Sequence, residues 1–197
     1  MKRIVTLVII IAFVISGTVA FADTQAGNSS EGDAKDAFAY ASVSYSYKND
    51  GKYVSSEFLY NDGMLLADAE NLSGDIAKIS VALACSAYDP DCIDKALGGM
   101  GFSVFEKENY TSKATLEDND FVAYTVAGKT ITYNGEEYLA LCVPVRGTPG
   151  SAEWFSNFNL GKSGNHKGFY TAAEEVLTSV KNTAKSKGYD KDHTIVL

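Results

Sequence analysis

The 197-residue chain is 46% apolar and 21% charged, a composition that suits one globular domain and excludes disorder throughout. Lys and Arg number 17 against 25 Asp and Glu, a net charge of -8. The chain therefore lacks a basic field to neutralise nucleic-acid phosphates or anionic lipid, and no nucleic-acid partner is expected.

Lys2 and Arg3 precede an apolar run from Ile4 to Ile15, and small residues then lead to Ala20-Phe21-Ala22. A basic start, a short apolar stretch and an A-x-A site predict a signal peptide over residues 1–22, hence a secreted or cell-surface protein with no membrane span after cleavage. The alternative is an uncleaved anchor helix from Ile4 to Ala22, which Ser16, Gly17 and Thr18 dilute at its outer end. Residues 23–35 are small and polar and read as a flexible linker.

Residues 36–120 predict an N-terminal region of hairpin and helices. Aromatic and polar residues alternate from Phe38 to Tyr60 around Asp50-Gly51, a tight-turn signal, so two strands are expected. Ile76, Ile79, Leu83 and Ala84 recur at helical spacing within Leu65 to Tyr88, and a shorter helix from Asp91 to Met100 is expected to stop at Gly101.

Residues 121–197 predict an α/β core. Phe121 to Val126 and Thr130 to Val145 read as strands, the second split into a hairpin by Asn134-Gly135. The run LALCVPV is apolar on both faces, as in a strand covered by a layer on each side, and Pro144 predicts an irregularity near its end. Phe169 to Lys187 carries an apolar stripe of Phe169, Ala172, Ala173, Val176, Leu177, Val180 and Ala184, and Gly188 is expected to end that helix. A short strand, His193 to Leu197, follows. Strand, long helix, strand is the pattern of a crossover in a sheet covered by helices.

Chemistry-bearing residues are few. Cys85 and Cys92 flank the turn-rich SAYDPD, so a disulfide between them is a candidate in an oxidising compartment, while Cys142 reads as a buried small hydrophobe. His166 and His193 lie far apart with no Cys-x-x-Cys or His-x-x-x-His spacing, so no metal and no other cofactor is expected. Gly161-Lys162-Ser163 lacks the upstream glycine of a phosphate loop, because position 156 is Ser. Glu106/Glu108 and Asp118/Asp120 read as solvated acidic pairs in polar loops. Ser151 and Ser156 have neither a neighbouring base nor a glycine frame, and no Gly-x-Ser-x-Gly elbow occurs anywhere. The segment VRGTPGSAEWFSNFN follows the apolar strand, where loops of such sheets face a ligand crevice. On residue type alone, Arg146 either serves a site or pairs within the core, and Trp154 either shapes a site or fills space.

Taken in order, AYTVAGKTI, YLALCVPVRGT, EWFSNFNLG, HKGFY, AAEEVLTSVKNTAKSKGY and HTIVL resemble the class 3 (fungal-type) lipase family of α/β-hydrolases. The resemblance covers 121–197 well and 65–101 weakly. It implies an incomplete α/β-hydrolase sheet with helices, preceded by the hairpin and helical region. It also implies that Thr148 is the oxyanion-hole hydroxyl residue, with Arg146 and Gly147 completing its motif and Trp154 and His166 shaping the site. The family's elbow would begin just after Leu197, so the triad serine, acid and histidine are expected outside these residues, and His193 precedes the serine and cannot be the triad histidine. The expectation is the N-terminal part of an exported carboxylic ester (acylglycerol) hydrolase. Such a chain would be inactive alone and would meet a lipid or ester substrate only when completed. The competing expectation is a non-catalytic exported binding or surface protein on a degenerate hydrolase scaffold.

Overall fold

Asp50 and Gly51 both take the left-handed backbone region, at φ 47° and 77°, and so close a tight hairpin between β1 (Ala41–Asn49) and β2 (Lys52–Tyr60). These come from a computed structural model that describes residues 38–67, 73–112, 121–148, 166–189 and 192–197. The expected signal peptide and linker, Asp118, Asp120, Ser151, Trp154, Ser156 and the Gly161-Lys162-Ser163 tripeptide lie outside the described residues.

A 3-10 turn at Asp62–Leu66 follows the hairpin, started by the Asn61 side chain, which accepts from the Met64 N–H. Helix α1 spans Gly74–Ser86, later than the expected start at Leu65, because the Ser73 hydroxyl caps it by accepting from the Ile76 N–H. Helix α2, Pro90–Gly99, begins under the Asp89 carboxylate, which accepts from the N–H groups of Asp91 and Cys92, and Gly101 at φ 78° ends it. Cys85 and Cys92 carry free thiols, so the candidate disulfide is absent: Cys92 is buried in the first turn of α2 and Cys85 half-buried in the last turn of α1.

The second sheet has the order β3-β4-β5-β6. Strand β3 (Ser103–Glu108) pairs antiparallel with β4 (Tyr124–Tyr133), so the region before residue 120 contributes a strand to the sheet after it. Glu106 and Glu108 belong to this strand and not to a loop, which corrects the expectation. Strand β4 also runs unbroken where two strands were expected. Gly128 lies against Phe105 and Leu141 so closely that a Cβ there would sit 2.6 and 2.9 Å from them. Asn134 and Gly135, at φ 53° and 80°, turn β4 antiparallel into β5 (Glu136–Cys142). Helix α3 (Lys167–Ser186) then carries the chain to β6 (Thr194–Val196), which pairs parallel with β5.

Apolar burial on both faces explains why LALCV has no polar alternation. Ala127, Ala140 and Cys142 join Val43, Tyr60, Leu65, Ile79, Leu83, Ile93, Leu97 and Phe102 in one cluster, between the sheet, the hairpin and helices α1 and α2. Tyr124, Val126, Leu139 and Leu141 face the other way, against Val176, Val180 and Ala184 of α3. The helix thus docks by its second half, and Phe169, expected in its stripe, is 46% exposed.

Candidate functional site

The carboxyl end of β5 is built by backbone bonds on both sides. Toward β6, Leu197 donates to the Leu141 carbonyl and Val143 donates to the Leu197 carbonyl, each at 2.9 Å. Pro144 has no N–H to donate, and β5 ends before it. The chain nevertheless continues along β4: the Pro144 carbonyl accepts from Thr125 at 3.0 Å, Val145 bridges to Tyr124, and the Arg146 N–H donates to the Ala123 carbonyl at 2.8 Å. Beyond this last bond Gly147 is half-buried and Thr148 exposed.

Arg146 is buried, its guanidinium carbon 5.9 Å from the centre of the Tyr110 ring. The Tyr110 hydroxyl shares a 3.1 Å hydrogen bond with Thr125 Oγ1 on β4, and burial pushes that hydroxyl's pKa up. Asn109, at φ 61°, donates through Nδ2 to the Val122 carbonyl at 3.0 Å and to Glu175 Oε1 of α3 at 3.1 Å. Asn109 and Tyr110 therefore brace the strand end that carries Arg146, and neither was singled out from sequence, because both act on residues distant along the chain. The one local signal was the asparagine, a residue that tolerates positive φ.

The Asn109 to Glu175 bond sets the first half of α3 beside the start of β4, which is also the carboxyl edge of β5. At the other edge, the Tyr189 hydroxyl meets Thr130 Oγ1 at 3.1 Å. His166 caps the start of α3: its Nδ1 accepts from the Phe169 N–H at 3.3 Å, and its ring centre lies 4.3 Å from that of Phe169. The shown tie between this strand end and α3 is thus the one through Asn109, which joins Val122 of the β4 side to Glu175 of α3. Trp154 lies outside the described residues. His193 is at the opposite edge, 3.8 Å from Glu136, its ring tilted against that of Tyr138 with centres 5.9 Å apart.

An open groove of about 400 Å³ runs between α3 and strands β3 and β4, lined by Glu106, Tyr124, Glu174, Glu175, Thr178, Ser179 and Asn182. Glu106 accepts from the Ser179 and Tyr124 hydroxyls. Burial, with the charge of Glu106 nearby, pushes Tyr124 up to about 12. On the other face, Lys129 pairs with Asp62 and sits 4.8 and 4.9 Å from the ring centres of Tyr60 and Phe102. Burial pushes the Cys142 thiol well up, so it is no ready nucleophile. Among the described residues no group of three or more His, Cys, Asp or Glu is placed to hold a metal ion, and no helix is long and apolar enough to cross a membrane.

No protein-family profile, curated protein or solved structure matches this chain.

Proposed function

We propose that this chain is the N-terminal part of an exported α/β-hydrolase of the class 3 lipase type, acting on carboxylic esters such as acylglycerols. One observation carries the reading: β5, which leads into Arg146-Gly147-Thr148, lies next to and parallel with β6 through the helix α3. In open α/β sheets ligands bind beyond the carboxyl ends of parallel strands. Here the β5 edge presents an exposed hydroxyl and its backbone N–H from Thr148, two donors for the oxyanion of a tetrahedral intermediate. The chain leaving β6 at Leu197 is hydrogen-bonded to Val143, at the same edge and a few residues short of Thr148.

In this reading Thr148 stabilises charge, Arg146 holds the turn through Tyr110, and His166 fixes the start of α3. The attacking serine, its base and the orienting acid come from polypeptide outside these residues, since no Gly-x-Ser-x-Gly occurs among them. Loss of a triad serine alone costs on the order of a million-fold in turnover, so the 197-residue chain is inert by itself.

The test is ester hydrolysis with p-nitrophenyl butyrate and a long-chain acyl ester. The chain alone is expected to be silent. Joined to or mixed with a C-terminal half that begins at a Gly-His-Ser-x-Gly elbow, it is expected to turn over, with Thr148→Val lowering kcat by roughly 100- to 1000-fold. Turnover by the chain alone, or a completed protein indifferent to Thr148, would overturn the reading.

A further inference from the structure

We draw no further inference here: the strongest candidate, the acidic groove between α3 and strands β3 and β4, carries nothing because its Glu106 and Glu175 carboxylates are already bonded to Ser179, Tyr124 and Asn109 within the chain, and nothing among the described residues points to a ligand there.

Discussion

The Asp89 carboxylate starts α2 by accepting from two backbone N–H groups at 3.0 and 3.1 Å, and it also accepts from the Tyr53 hydroxyl at 3.0 Å. Burial alone would push its pKa up. The donors, led by the Cys92 N–H, outweigh burial and hold the carboxyl below its ordinary value. A folded-state pKa lowered in this way adds stability above the unfolded value of about 3.9 and loses it as pH falls through the folded value. Asp89→Ala is expected to cost about 1 kcal/mol near neutral pH, with the difference from wild type fading below about pH 4, as read from urea unfolding at several pH values. Gly128 shows a second single-residue effect. A methyl there would meet Phe105, Leu141 and the Ala140 carbonyl, so Gly128→Ala is expected to lower stability by about 1–3 kcal/mol in the same assay. In the sequence Gly128 falls between the two expected strands, Phe121–Val126 and Thr130–Val145. Its real role, letting two bulky neighbours close over the strand, depends on residues 23 before it and 13 after it, which no local pattern exposes.

At the scale of elements, turn and cap chemistry was legible and strand partnership was not. Asn134-Gly135 and Asp50-Gly51 both close the hairpins expected of them, because a two-residue turn needs positive φ and few residues accept it. Gly135→Ala is therefore expected to cost about 1–2 kcal/mol with little change in fold, measured by thermal unfolding with far-UV circular dichroism as the check on structure. Glycine at 101 and at 188 ends α2 and α3 for the same reason. Strand β3 escaped notice because its SVFEKE mixes charges into a short segment, and it becomes a strand only by pairing with β4. The buried face of α3 also differs from its apolar stripe: Ser179 and Thr183 are buried while Phe169 is exposed. Ser179 is drawn in by the Glu106 carboxylate, a partner 73 residues away.

Across the whole molecule, one sheet packed on both faces divides the chain into regions of unequal stability. Strands β4 and β5 are paired on both edges and buried on both faces, whereas β2, among the described residues, pairs with β1 alone and is exposed over most of its length. Amide hydrogen exchange is expected to be slowest in Val126–Lys129 and Leu139–Leu141 and fastest, among the strands, in Lys52–Glu57. Thiol labelling follows the same gradient: half-buried Cys85 reacts first, while Cys142, wholly buried and pushed up in pKa by that burial, reacts only on unfolding. A disulfide-reactive chromophore monitored with and without denaturant separates the two. The candidate site belongs to this scale as well. Arg146-Gly147-Thr148 and His166 could be named as a pattern of residue types, yet Asn109, Tyr110 and Thr125, which hold that strand end, could not.

Sequence alone determined where the chain turns, which segments are helical, and that LALCV would be covered on both sides, since those outcomes follow from local backbone preference and the spacing of apolar groups. Only the tertiary structure decided which strand lies beside which, and that Asn109 ties the strand end before Arg146 to Glu175 of α3. The physical reason is that strand pairing and burial are long-range choices, made by whichever surfaces exclude the most water together, and adjacent residues carry no record of them.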